Sequence, residues 1–192
     1  MAKILGIIGS PNKQGNTALL VREVLKTAEA QGSETKILCL ADFQLSPCNG
    51  CRSCLETGKC MIKDDIEELF TEMLQADGIV IGSPVYFGGV TAQVKTFIDR
   101  VGYLNKARGR EAFRRKIGGC VVVGRHSGLL NTYIQILLFL LDARMIIPGT
   151  RWVLGRGFKN GDVEKDSEGI SLARELGYEI NNLANLTKPL RT

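Results

Sequence analysis

The sequence predicts an α/β fold of the doubly wound type, with a five-stranded parallel sheet in the order 2-1-3-4-5. Three observations predict it. Short apolar, strand-like runs alternate with segments of helical period along the whole chain. The first, third and fourth of those runs each end in a loop rich in glycine or small polar residues. No linker, internal repeat or low-complexity tract breaks the 192 residues, so a single domain over 1–192 is expected.

The elements follow in order. Lys3–Ile8 is an apolar run that stops at Gly9-Ser10-Pro11. Asn16 or Thr17 can cap the next segment, where Leu19, Leu20, Val24, Leu25 and Ala28 recur at helical spacing up to Gly32. Thr35–Leu40 alternates as a strand. Asp64 is placed to cap a helix carrying Ile66, Leu69, Phe70, Met73 and Leu74. Gly78–Ile81 reads as the third strand, ending in Gly82-Ser83-Pro84. A helix over 91–101 presents Val94, Phe97, Ile98 and Val101 on one face. Gly118–Val123 is continuously apolar, as suits a strand buried on both sides. Leu130–Ala143 is a helix with few polar residues on any face, expected to pack on the sheet and on a partner subunit. Met145–Pro148 is read as the fifth strand, residues 151–162 as a Gly-rich loop, and Val163–Leu186 as a closing helix.

Composition narrows the class. A hydrophobic content of 44% is that of an ordinary globular chain. The apolar stretch Ile134–Leu141 is too short to cross a bilayer. The N-terminal residues end their apolar run in Gly-Ser-Pro rather than a cleavage site. A cytoplasmic protein without membrane contact is expected, in a compartment where thiols stay reduced. The net charge of +5 is concentrated in Lys106, Arg108, Arg110, Arg114, Arg115 and Lys116. This cluster is either a solvated loop or a docking patch for an acidic partner or an NADPH phosphate. Nucleic acid is excluded as a partner, because no aromatic-interleaved basic motif or recognition helix accompanies the cluster.

The most informative segment is 47–61, PCNGCRSCLETGKC with its following Met. Cys48, Cys51, Cys54 and Cys60 are spaced C-x2-C-x2-C-x5-C. Thiolates that close can converge on one centre, and an S4 set suits an iron–sulfur cluster or a structural zinc. Cys39 and Cys120 stand alone in apolar runs and read as buried small hydrophobes.

In an open parallel sheet the ligand lies beyond the carboxyl ends of the strands. Three loops there carry suitable residues. Gly9-Ser10-Pro11-Asn12-Lys13-Gln14-Gly15-Asn16-Thr17 can surround an anion at a helix N-terminus, but it is neither a P-loop nor a G-x-G-x-x-G turn. Ser83-Pro84-Val85-Tyr86-Phe87-Gly88-Gly89 presents an aromatic pair beside glycines; if the backbone there is extended, both rings cannot enter the core. Gly124-Arg125-His126-Ser127-Gly128 offers donors and His126, the one histidine of the sequence.

The stretches GSPNKQGNT and SPVYFGGVTAQVKTFIDR resemble those of the NADPH-dependent FMN reductase branch of flavodoxin-like proteins, over about residues 3–149. The second stretch carries Lys95, Phe97, Asp99 and Arg100 on its helix. With the four-cysteine segment after the second strand, the resemblance narrows to the iron–sulfur flavoproteins. It implies FMN and a [4Fe–4S] cluster, a homodimer or homotetramer, and a ferredoxin-type one-electron donor. By position, Ser10, Lys13, Gly15, Asn16 and Thr17 would hold the FMN phosphate. Pro84, Val85, Tyr86, Phe87 and Gly88 would line the ribityl chain and ring, with Gly124, Arg125 and His126 approaching from the other side. Cys48, Cys51, Cys54 and Cys60 would each ligate one iron. Where relatives often have Arg after Ser-Pro, this chain has Asn12, which leaves Lys13 as the phosphate charge.

The resulting expectation is an electron-transfer flavoprotein with no side-chain acid or base, its cluster a near neighbour of the flavin at one end of the sheet, within the chain or across a subunit interface. Two other readings stand beside it: an NAD(P)H-dependent FMN or quinone reductase without a cluster, and a flavin-binding module stabilised by zinc.

Overall fold

The computed structural model describes residues 1–191. Its elements are β1 (Lys3–Ile8), α1 (Asn16–Ala30), β2 (Glu34–Cys39), α2 (Cys54–Thr57), α3 (Ile66–Gln75), β3 (Gly78–Pro84), α4 (Ala92–Ala107), β4 (Ile117–Gly124), α5 (Leu129–Asp142), β5 (Val153–Arg156) and α6 (Ser167–Thr187), with short 3-10 turns between. The five strands are parallel and lie in the order β2-β1-β3-β4-β5. The expected doubly wound, flavodoxin-like sheet is present.

Alternation along the central strands divides the core in two. Leu5 and Ile7 of β1, Ile79 and Ile81 of β3 and Cys120 and Val122 of β4 face α3, α4 and α5. Ile4 and Ile8, Val80, and Val121 and Val123 face α1 and α6. Successive side chains of a strand point to opposite faces, so continuous apolar runs are what a doubly covered sheet requires. Cys39 and Cys120 are buried, as their apolar settings predict.

The fifth strand is not where the sequence reading placed it. Among residues 145–148 Ile146 alone bridges to the sheet, its N–H bonding to Lys116 O and its carbonyl accepting from Gly118 N, both at 2.8 Å. Pro148 has no N–H with which to extend the ladder. The chain leaves the edge and returns as Val153–Arg156, paired with Val121–Gly124. Glycines had made that stretch read as loop. Gly155 is needed there because a Cβ would lie 2.8 Å from Leu20 and 2.9 Å from Val163.

Other boundaries also moved. Gly15, not Asn16 or Thr17, caps α1. Helix α4 runs a turn and a half beyond Val101 to Ala107. The last helix begins at Ser167, capped by Asp166, whose carboxylate accepts from Gly169 N at 3.0 Å. Helix α5 buries Tyr133, Ile136, Phe139 and Leu140, while Leu130, Ile134, Leu138 and Leu141 form an exposed apolar stripe.

The basic cluster is largely committed within the chain. Arg110 pairs with Asp142, Arg114 and Arg144 pair with Glu111, and Arg108 lies over the Phe70 ring at 4.5 Å. Arg115 and Lys116 donate to backbone carbonyls of Leu190, Leu74 and Ala76. These contacts hold the α4–β4 connection against its neighbours. Among the described residues, no helix is long and apolar enough to cross a membrane.

Candidate functional site: an open cleft and a cysteine-lined hollow

At the carboxyl ends of the strands lies an open cleft of about 360 Å³, within the size range of small-ligand sites. Its floor comes from Ser10, Asn12, Gly15, Asn16 and Thr17 at the start of α1. One wall is Pro84, Val85 and Tyr86 after β3, and the other is Val123, Gly124 and Arg125 at the end of β4. Gly157, Phe158 and Asn160, after β5, close it. Thus nine of the sequence-derived candidates meet in one cavity: Ser10, Gly15, Asn16, Thr17, Pro84, Val85, Tyr86, Gly124 and Arg125. The residues 157–160 were missed, because they follow a strand that the sequence reading had placed elsewhere.

The floor suits an anion. Helix α1 starts at Gly15 with no side-chain cap and no acid in its first turn, so its first N–H groups and the positive end of its dipole remain for a ligand. The loop is held by local bonds: Asn12 N donates to Ser10 Oγ and Gln14 N to Asn12 Oδ1, each at 3.1 Å. Gly9 donates to Gly82 O at 2.8 Å. A Cβ on Gly9 would sit 2.0 Å from Val94, so only glycine permits this approach.

Thr91 joins the two main loops. Its buried hydroxyl donates to Gly9 O at 2.7 Å and accepts from Val94 N at 3.2 Å as the cap of α4. Its N–H donates to Ser83 Oγ at 3.2 Å. Asn16 lines the cleft but its amide is engaged elsewhere, donating to Lys159 O at 2.8 Å and accepting from Val163 N at 3.3 Å. Asn16 therefore bolts the 157–163 loop to the cleft floor.

Four candidates lie outside the walls. The Lys13 ammonium is hydrogen-bonded to Asp42, which holds its pKa above the usual lysine value. His126 is exposed. Phe87 and Gly88 occupy the tip of a two-residue hairpin closed by reciprocal bonds between Tyr86 and Gly89. Their φ angles of 47° and 82° are those of a primed turn. The extended backbone considered from sequence is absent, and both aromatics are free of the core: Tyr86 is half exposed and Phe87 wholly so. Left-handed backbone at a phenylalanine is strained. Gly128 seats the hairpin, since a Cβ there would lie 2.7 Å from Gly88 Cα. Arg125 stacks over the Phe158 ring at 5.0 Å.

The four cysteines line a second, small hollow of about 20 Å³ with Arg100, Tyr103 and Leu104 of α4. The segment reaches it through tight turns with positive φ at Gly50, Arg52 and Gly58. All four are free thiols. Burial, with the neighbouring Cys60, Cys51 and Cys48, raises the Cys54 pKa. Hydrogen bonds at Ser53 lower that of Cys51. Among the described residues no three His, Cys, Asp or Glu side chains are gathered closely enough to hold a metal ion.

The hollow is anchored by Arg100, which is 2% exposed. Its guanidinium donates from Nη1 to Ser46 O at 2.8 Å and Asp64 Oδ2 at 2.6 Å. Nη2 donates to Asp64 Oδ1 at 2.9 Å and Cys60 Sγ at 3.1 Å. Asp64 also accepts from Ser46 N and Ile66 N. Burial alone would raise the Asp64 carboxyl, but Arg100 and the two backbone donors outweigh it and hold it low. The residue expected as a helix cap is thus mainly a partner for a buried arginine.

Within one chain the two sites share no wall. Thr91 marks the cleft end of α4, and from there to Arg100 the helix rises about 14 Å. The cysteine segment leaves β2 at the cleft end but folds back along α4.

Comparison with known proteins adds an independent finding. The family model described as NADPH-dependent FMN reductase matches residues 2–159. An iron–sulfur flavoprotein of Methanocaldococcus jannaschii is 44% identical, covering 97% of this chain and 99% of its own length. An iron–sulfur flavoprotein of Methanosarcina thermophila is 31% identical, covering 98% of each. The crystal structure of the WrbA-like flavodoxin from Agrobacterium tumefaciens superposes with a TM-score of 0.66 at 17% identity, covering 97% of this chain and 99% of that one, a likeness of fold.

Proposed function

The chain belongs to the NADPH-dependent FMN reductase family and is a flavin-dependent oxidoreductase, and on that premise we propose that it carries electrons between a [4Fe–4S] cluster and FMN. The observation that carries the reading is that four thiols, Cys48, Cys51, Cys54 and Cys60, line one hollow beside a chain that also has a cleft fit for a flavin.

The residues fit a cluster on two counts. The set is sulfur only, the donor chemistry that selects iron–sulfur centres. Arg100 also keeps one buried donor, Nε, without a partner among the described residues, and an anionic sulfide group is an acceptor for it. A single zinc ion would need its ligands drawn to about 2.3 Å from one point, whereas a cluster takes each thiolate on its own iron and accepts a wider set.

The bound pair would supply one-electron chemistry at the cluster and one- or two-electron chemistry at FMN, so that a one-electron donor can serve a two-electron acceptor. The chain's part is to bind and to orient. Ser10, Thr17 and the first N–H groups of α1 would hold the FMN phosphate, with Gly15 leaving the helix start without a side chain. Pro84, Val85 and Tyr86 would line the ribityl chain and ring, as would Gly124 and Arg125 from the facing wall. Phe87, at the hairpin tip, and His126 stand at the mouth. Lys13 acts from outside, after release from Asp42. No side chain is asked to move a proton.

The exposed stripe of α5 supports assembly as a homodimer or homotetramer, and a ferredoxin-type carrier suits the donor side of a cytoplasmic protein. A reductase that takes hydride from NAD(P)H is the second reading, favoured by the Arg125–Phe158 stack at the open mouth of the cleft. Replacing Cys54 with Ala separates the two. Cluster absorbance should vanish while FMN stays bound. Loss of both together, or full NADPH oxidation by the cluster-free variant, overturns the proposal.

A further inference from the structure

Arg100 is a charged side chain in a core position. On α4 it sits among Val94, Phe97, Val101 and Leu104, all buried. Taking a guanidinium out of water costs several kcal/mol unless geometry and hydrogen bonds offset it. A residue that breaks the pattern of its own helix face at such a cost marks a position with a task beyond packing.

The donor accounting shows the task. A guanidinium has five N–H donors in a fixed fork. Two grip Asp64 in a bidentate pair, one reaches Ser46 O, and one on Nη2 reaches Cys60 Sγ at 3.1 Å, with Ile62 O a longer partner of that nitrogen at 3.5 Å. Ser46 precedes the first cysteine and Asp64 follows the last, so one side chain ties together both ends of the 47–61 segment. A salt bridge with Asp64 alone would explain two of these bonds. It would not require the fork to be turned so that a further N–H meets the sulfur of Cys60. Lysine, with a compact ammonium, cannot reproduce this arrangement.

We propose that Arg100 is a positioning residue for the iron–sulfur group: it clamps both ends of the cysteine segment and donates a hydrogen bond to the Cys60 thiolate, making that ligand electronically unlike the other three. The inference rests on the reading that these cysteines carry a cluster. A donor on a ligand sulfur draws electron density from it and favours the reduced state, which raises the reduction potential. The iron held by Cys60 then differs from its neighbours without any change of ligand.

The test uses the holoprotein purified without oxygen. Iron and sulfide assays on the wild type come first; their absence overturns the underlying reading, and this inference with it. Where the cluster is present, Arg100→Lys and Asp64→Asn are compared by redox titration and by hydrogen exchange of residues 46–64. Both variants should speed exchange, since both loosen the clamp. Only Arg100→Lys should lower the potential, by about tenfold in the reduced-to-oxidised ratio, or 59 mV for one electron. A potential in Arg100→Lys equal to that of the wild type would leave Arg100 a structural strut and overturn the proposal. Should Arg100→Lys fail to hold a cluster, pulsed EPR of reduced Arg52→Lys protein labelled with 15N at its guanidinium groups decides the same point. Arg52, the other arginine on the hollow's wall, is then removed from the signal. A nitrogen coupling to the cluster supports the Cys60 contact, and no coupling overturns it.

Discussion

Replacing Thr91 with Val removes one hydroxyl at the joint between the two loops of the cleft proposed for FMN. The change keeps the branched shape, and what it alters is the hydroxyl, which is why it does not rank with the tolerated apolar swaps. Two bonds are lost. Val94 N loses its cap, a loss of about 1 kcal/mol. Gly9 O loses the donor at 2.7 Å, and leaving a buried acceptor unpaired costs about 1–3 kcal/mol. The chain should therefore lose about 2–4 kcal/mol in urea unfolding. If about 1.4 kcal/mol of that appears as disorder of the Gly9–Thr17 loop, FMN affinity falls about tenfold. Unfolding curves with and without FMN, and titration of FMN fluorescence quenching, measure both effects. Thr91→Ser keeps the hydroxyl and should recover most of each. A Thr91→Val protein with stability unchanged within 0.5 kcal/mol, roughly the scatter of ordinary surface changes, would refute the bond account. Lost stability with unchanged FMN affinity would refute the claim that Thr91 sets the cleft floor.

Further outcomes follow from the same geometry. Phe87→Gly relieves left-handed strain worth about 1–2 kcal/mol, so it should raise the unfolding midpoint while weakening FMN binding; a lower midpoint would contradict the turn assignment. Iodoacetamide treatment of the metal-free chain, mapped by mass spectrometry, should label exposed Cys48 and Cys51 and spare Cys120, whose thiol burial pushes far above the usual range; labelling of Cys120 before unfolding would contradict its burial. Asp64 has a folded pKa held low, so its contribution to stability is complete above the unfolded value of about 3.9 and fades as pH falls through the folded value. The stability gap between wild type and Asp64→Asn should stay constant from pH 8 to about 5 and close only below about 4; a gap that closes near neutrality would contradict the pairing with Arg100.

Much of this was legible in the sequence, for identifiable reasons. The continuous apolar runs of β1, β3 and β4 and the small residues after each strand disclosed the sheet and the cleft, because burial on both faces and anion binding constrain composition directly. The cysteine spacing disclosed the hollow. Three things were hidden. Val153–Arg156 reads as loop because Gly155 must be small to let Leu20 and Val163 approach. The turn at Phe87 is set by its closing bonds and by Gly128 from another loop, not by its own propensity. Arg100 carried a signal, an arginine between Phe97, Val101 and Leu104, but its partners lie 36 to 54 residues away in sequence. Only folding reveals that Asp64 and Cys60 are what it serves.

The central claim, two redox groups in one chain, is tested most directly by assaying iron, acid-labile sulfide and flavin on a single sample purified without oxygen, beside its visible spectrum. The account predicts about four irons and four sulfides with one FMN per chain, and broad absorbance beneath the flavin bands that bleaches on reduction. Flavin bands alone, with neither iron nor sulfide after anaerobic reconstitution, would contradict it.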